Sequence, residues 1–277
     1  MRTTFFTTLL TLSMSLVAVA QQVNTERYIT LNVQKGDTIR INLWGDSHAT
    51  AVRITSGKHT QDVVINNSWT GSRCYYAGSG TMTVYGNVKK ITCSLNGDKI
   101  TGIDVSQNAK LQELNCAYNR IEALDLRHNP ELTVLQCAGN ELNKIDLSRN
   151  KKLERLGCYK NALTALDVRK NTKLTWLNCG RNQVKTLDIS KNNRLRELYC
   201  TENQLSWLDL SQNRKLERLR CSGNPLNPAV LKAIYSSLPT HTVASTLESS
   251  ILEKPEEHIA NAKNTQEKSE DEKLTWL

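Results

Sequence analysis

Residues 111–119 read LQELNCAYN, and the phrase returns as LTVLQCAGN (132–140), LERLGCYKN (153–161), LTWLNCGRN (174–182), LRELYCTEN (195–203) and LERLRCSGN (216–224). The spacing is 21 residues throughout, for the leucines Leu111 to Leu216, for Cys116, Cys137, Cys158, Cys179, Cys200 and Cys221, and for Asn119 to Asn224. The second half of each unit recurs too, as ALDLRHN, KIDLSRN, ALDVRKN, TLDISKN and WLDLSQN. An earlier, degenerate copy, CSLNGDKITGIDVSQN, begins near Lys90 and puts Leu95 in the cysteine slot. A fixed period of this length marks units that cannot bury their apolar side alone and must stack. Each unit is expected to lay down a short strand around xLxCx and to return along a less regular path. The phased Asn then reads as a turn residue whose amide bonds to backbone along the stack.

The pattern LxxLxCxxN is that of the leucine-rich repeat with Cys in place of one Leu. The expected fold is an α/β-type solenoid: a right-handed superhelix with parallel strands on its concave face, a small amino-terminal β domain and a carboxy-terminal capping helix. The repeats resemble the cysteine-containing, 21-residue class of bacterial leucine-rich repeats found in internalin J-like surface proteins, including those of Bacteroidetes type. That resemblance covers residues 90–226. It implies a virulence-associated surface protein that binds host or neighbouring-cell molecules, in adhesion or biofilm. The chain departs from the internalins in lacking an LPxTG motif and in having a β-rich rather than helical amino-terminal segment.

The chain opens MRTTFFTTLLTLSMSLVAVAQQ, where Arg2, a short apolar stretch and Ala18-Val19-Ala20 spell a signal peptide, residues 1–20. The mature protein is therefore expected to be secreted, periplasmic or at the cell surface. Residues 21–89 alternate apolar and polar. YITLNVQKGDTIRINLW is expected to form a β-hairpin around Lys35-Gly36-Asp37, with further strands in AVRI, DVVIN and TMTVYG. This segment is expected to cover the open end of the repeats, residues 90–226. At the other end NPLNPAVLKAIYSSLP predicts a capping helix within 227–239, starting at Pro228, with Leu231, Ile234, Tyr235 and Leu238 on its apolar face. Residues 240–277 read as a charged, mobile tail. The formal charge of +9 is carried by the repeats, while residues 225–277 are net acidic, a balance that favours anionic partners.

Six cysteines in phase raise the question of chemistry. A nucleophilic Cys needs exposure, a lowered pKa and a nearby base, but this slot faces inward and none of His48, His59, His128, His241 and His258 shares its phase. Zinc wants ligands converging on a point, and cysteines one rung apart form a line. Disulfides between parallel neighbours would pinch the sheet, since strands lie about 4.8 Å apart and bonded Cβ atoms about 3.8 Å. Free, buried thiols acting as small hydrophobes remain. Cys74 and Cys93 lie outside the ladder and could pair, although Cys93 also fits an inward leucine slot. Asp104, Asp125, Asp146, Asp167, Asp188 and Asp209 form a second ladder, read as turn acceptors rather than a calcium stripe. No cofactor, metal or catalytic residue is expected, and an enzyme confined to residues 21–89 is the weakest alternative. A structural spacer of the cell envelope is another.

With Leu and Cys inward, the alternating residues face the concave side. Repeats three to six gather Arg155, Tyr159, Trp176, Arg181, Glu197, Tyr199, Arg218 and Arg220 there, the composition of interface hot spots. Stacking of these residues on one another, with no ligand, is the competing reading. A basic ridge of Arg149, Lys151, Lys152, Lys170, Lys173, Lys191, Arg194, Arg214 and Lys215 offers a second surface, suited to polyanions. The expected partner is a protein or glycan, with anionic groups favoured. Nucleic acid is disfavoured, no membrane span is expected, and a monomer is favoured.

Overall fold

The computed structural model describes residues 22–240 and 243–244. The expected signal peptide and, apart from Thr240 and 243–244, the expected tail lie outside the described residues. The strands are β1 (Tyr28–Val33), β2 (Thr38–Gly45), β3 (Thr50–Ser56), β4 (His59–Ile65), β5 (Arg73–Tyr76), β6 (Thr81–Gly86), β7 (Val88–Thr92) and β8 (Ile100–Asp104) in the amino-terminal part. The repeats supply β9 (Glu113–Asn115), β10 (Val134–Gln136), β11 (Arg155–Gly157), β12 (Trp176–Asn178), β13 (Glu197–Tyr199) and β14 (Arg218–Arg220). Helix α1 (Pro228–Ser237) and β15 (Val243–Ala244) follow. The fold is a leucine-rich-repeat solenoid with a small amino-terminal β structure and one helix at its carboxy-terminal end.

The repeat strands pair in parallel, each shifted by one unit: Leu114 opposite Leu135, then Leu156, Leu177, Leu198 and Leu219. Because the register equals the period, every leucine of this column and every ladder cysteine lies at most a few per cent exposed in one continuous core. The second halves carry turns and bends, and α1 is the one α-helix among the described residues. Its start follows from Asn227, whose side chain accepts from the Val230 N–H, with Pro228 in the first turn, where its missing N–H costs nothing. Val230, Leu231 and Ile234 are buried there, while Tyr235 stays exposed.

Two asparagine ladders hold the rungs together. Asn161 Nδ2 donates to the Cys158 and Cys137 carbonyls, at 3.1 and 2.9 Å, and its Oδ1 accepts from the Leu142 N–H at 3.0 Å. Asn140, Asn182 and Asn203 repeat all three bonds. The second ladder is Asn108, Asn129, Asn150, Asn171, Asn192 and Asn213, all fully buried. Asn171 Nδ2, for example, donates to the carbonyls of Leu147 and Asn150. A parallel stack of short strands leaves many turn carbonyls without a sheet partner, and these amides satisfy them.

The amino-terminal part differs from expectation at one point. The chain around Gly36 is no hairpin: β1 pairs with β6 and β8, whereas β2 pairs with β5 and β7. The turn carries the chain from one sheet to another, and an alternating sequence on both sides of a glycine turn is common to both outcomes. One sheet runs β4-β3-β6-β1-β8; the other runs β15-β14-β13-β12-β11-β10-β9-β7-β2-β5. The repeat sheet thus continues without a break into the amino-terminal strands through β7.

That junction also corrects the assignment of the degenerate copy. β7 meets β9 with Lys90 opposite Glu113, an offset of 23 residues. Cys93, not Leu95, therefore precedes Cys116 in the ladder; it is fully buried, and Leu95 is 57% exposed. Asn96 occupies the ladder-asparagine place and donates to the Cys93 carbonyl at 2.8 Å. It also exchanges bonds with both the N–H and the carbonyl of Arg40 on β2. Arg27 adds a second clamp, from Nε to Asn108 Oδ1 and from its guanidinium to the Val88 carbonyl, each 2.6 Å. Cys74, exposed on β5, is unbonded, as are the seven buried cysteines.

Candidate functional site

The repeat strands are only three residues long, and their outward positions form a face opposite the ladder cysteines. On that face Arg155, Trp176, Tyr199 and Arg220 stack in sequence. The Arg155 guanidinium lies 4.9 Å from the Trp176 ring centre, Trp176 and Tyr199 are 6.1 Å apart and tilted, and Arg220 lies 5.7 Å over Tyr199. Arg155 and Trp176 are directly opposite each other on β11 and β12, whereas Tyr199 sits one alternate position further along β13. The row therefore runs obliquely across four rungs, and all four side chains are partly exposed.

Glu197 organises the far end. It accepts from the Tyr199 hydroxyl at 2.6 Å and from Arg218 at 2.9 Å. Burial pushes the Tyr199 phenol up to about 12, and the Glu197 carboxylate adds to the shift by holding the hydroxyl proton. Tyr199 is consequently a hydrogen-bond donor at any physiological pH. Arg181 is exposed, pairs with Glu202 one rung on, and lies 5.4 Å over the Tyr159 ring.

Tyr159 is where the expected site must be corrected. Its side chain is on the strand side but only 2% exposed, in a small cluster with Ala117, Ala138 and Tyr118 that is separate from the main core. The ring reaches toward Gly180, where an added Cβ would come within 3.2 Å of it. Two further outward side chains lean the same way: Tyr118 over Gly139, and Gln136 over Gly157. Three glycines each remove a Cβ so that the preceding rung's side chain can lie flat. Alternation alone cannot find this pattern, but glycines one unit after a large residue in the same column give the signal. Gln136 is 2% exposed with neither amide atom hydrogen-bonded within the described residues, and Arg155 Nε beside it is likewise unbonded.

The ladder cysteines sit on the opposite side of these strands. Burial drives their thiols up, to about 12 for Cys116 and Cys179 and about 11 for Cys221. Such groups stay protonated and are poor nucleophiles. The aspartate ladder is structural: each Asp from Asp104 to Asp209 accepts the N–H two residues on, and Asp125 and Asp167 also hold Arg127 and Arg169. Among the described residues no group of three or more His, Cys, Asp or Glu could hold a metal, and no helix is long and apolar enough to cross a membrane. The basic ridge is exposed throughout, and Lys152 pairs with Glu131.

No family model matches the chain, and no curated protein matches it. Among solved structures it is similar to the functional domain of InlJ from Listeria monocytogenes, described as including a cysteine ladder. Identity is 31% over 50% of this chain and 40% of that one, with a TM-score of 0.44. An internalin, InlF, from the same organism is 25% identical over 51% of this chain and 43% of its own (TM-score 0.48). YopM from Yersinia enterocolitica is 30% identical over 43% of this chain and 25% of its own (TM-score 0.37). The chain spans less than half the length of each.

Proposed function

We propose that this chain is an exported, non-catalytic binding protein whose strand face, from repeat three to repeat six, holds a protein or glycan ligand in adhesion at a bacterial surface. The observation that carries this reading is the stack Arg155–Trp176–Tyr199–Arg220. Nothing in the core requires aromatic residues at those positions, since the same columns hold Glu113, Val134 and Asn115 in earlier repeats. A partly exposed row of two aromatics between two guanidinium groups offers flat apolar area together with donors for anionic oxygens. Tyr199, whose hydroxyl proton is held by Glu197, presents an oxygen that can accept from a ligand and so adds direction to that surface. Residues 21–89 serve as the cap of the first repeat and 227–239 as the cap of the last.

The test is a binding screen of surface proteins and of neutral and acidic glycans, run with the purified chain and with a variant carrying Arg155→Ala, Trp176→Ala and Tyr199→Ala. The reading expects a ligand of the parent chain that the variant loses. A second reading, a structural spacer, draws on the same stack, because Tyr199 already gives its hydroxyl proton to Glu197 and the four side chains already lie against one another. Equal binding by parent and variant favours that second reading.

A further inference from the structure

In a repeat protein the recurring residues build the fold, so a residue that breaks its column calls for a different cause. Trp207 breaks its column. The equivalent positions are Ala123, Lys144, Ala165 and Thr186, and the indole is 59% exposed, in the second half of repeat five and away from the strand face. It gives the core nothing that alanine or threonine does not give elsewhere. Beside it is a groove of about 260 Å³ lined by Trp207, Leu187, Lys185, Ser206, Asp188 and Asp209.

The carboxylates of this groove also differ from those of repeats one and three. Asp125 and Asp167 are occupied by Arg127 and Arg169. In repeats four and five that arginine is replaced by Ser190 and Ser211. Asp188 accepts both the N–H, at 3.0 Å, and the hydroxyl of Ser190, with Arg169 and Lys191 near enough to favour its charge; Asp209 accepts the Ser211 N–H at 2.8 Å, and neither has an ion-pair partner among the described residues. Acceptor capacity therefore remains at the rim of an apolar, aromatic-walled groove.

We propose that this groove is a second binding site, for a single unit of a neutral saccharide. An anion would be repelled by the two carboxylates, and a cation by Lys185. A polyol satisfies both kinds of group: its hydroxyls donate to Asp188 and Asp209 and accept from Lys185 and Ser206. One C–H face of a pyranose ring lies on the exposed indole, which offers flat apolar area with a negative face. The volume is that of one sugar ring rather than an extended ligand. The site is independent of the strand face, so it does not rest on the function proposed above.

Saturation-transfer NMR on the full chain tests it, with the methyl glycosides of glucose, galactose, mannose and N-acetylglucosamine as probes. Tetramethylammonium and methyl glucuronate serve as charged comparisons. We expect transfer to the ring protons of at least one neutral glycoside. Trp207→Ala should weaken that binding about tenfold or more, Trp207→Phe should retain part of it, and Asp188→Asn should reduce it. The Val64→Ala chain, altered at an exposed apolar position on β4, serves as control: it should bind these glycosides as the parent does, and because the readout is loss in Trp207→Ala, failure of the strand-face reading leaves this one testable. With so exposed an indole, Trp207→Ala is expected to keep the parent's thermal midpoint. Absence of transfer to every neutral glycoside, transfer unchanged by Trp207→Ala, or a signal confined to tetramethylammonium or glucuronate would overturn the proposal.

Discussion

At the level of single residues, the inward half of each repeat was readable from the period alone, and it was readable because the register equals the period. Leu114, Cys116 and Asn119 are placed by their copies alone. What could not be read were Tyr159 and Cys93. Tyr159 is covered because the residue after the ladder cysteine lies beyond the three-residue strand, where neighbouring side chains fold over one another. The residue before the ladder asparagine has a left-handed backbone, with φ near +50° at Tyr118, Lys160, Arg181 and Glu202. The cysteine ladder carries its own prediction. Native chain should expose only Cys74 to a thiol reagent, and the remaining seven should react on unfolding. Raised thiol pKa values mean that the folded state keeps protons which the unfolded chain releases above about 8.5. The thiol contribution to stability should therefore be constant below that pH and be lost as pH rises from about 8.5 toward 12. A urea midpoint that rises over the same window would contradict the buried-thiol account. Asn161→Ala removes the side-chain donations to the Cys137, Cys158 and Tyr159 carbonyls and orphans the Leu142 N–H; thermal or urea unfolding should show a loss of roughly 1–3 kcal/mol.

At the level of elements, the strands of the amino-terminal part were foreseeable from alternation, whereas their partners were not. Alternation specifies which face of a strand is buried, not which strand lies beside it. The turn at Gly36 links two sheets for that reason, and the 23-residue offset of the first repeat hides in the same blind spot. Asn96 and Arg27 tie β2, β7 and the first repeat into one hydrogen-bonded block. Asn96→Ala deletes both bonds to Arg40 and the one to Cys93, so hydrogen exchange should accelerate in 38–45 and 88–93 while 174–224 keeps its protection. Uniform acceleration over all repeats would show instead that the junction is no local unit.

For the whole molecule, what repeats and what departs from repetition separate into two roles. Cysteine, leucine and asparagine columns close the core and its carbonyls, and they recur with little change. Trp176, Tyr199 and Arg220 recur in no other rung and Arg155 only as Arg218, and they lie where a partner can reach them. The direction of this face was legible from strand alternation; the way its members stack on one another, and the groove at Trp207, needed side chains in place. The sharpest measurement compares stability and binding in one pair of variants. The Arg155→Ala, Trp176→Ala, Tyr199→Ala chain should keep a thermal midpoint close to the parent's yet lose the ligand that the binding screen identifies. Cys158→Ser, which buries a hydroxyl in the core, should lose roughly 1–3 kcal/mol of stability and keep that ligand while folded. A triple variant that binds as the parent does would contradict the account.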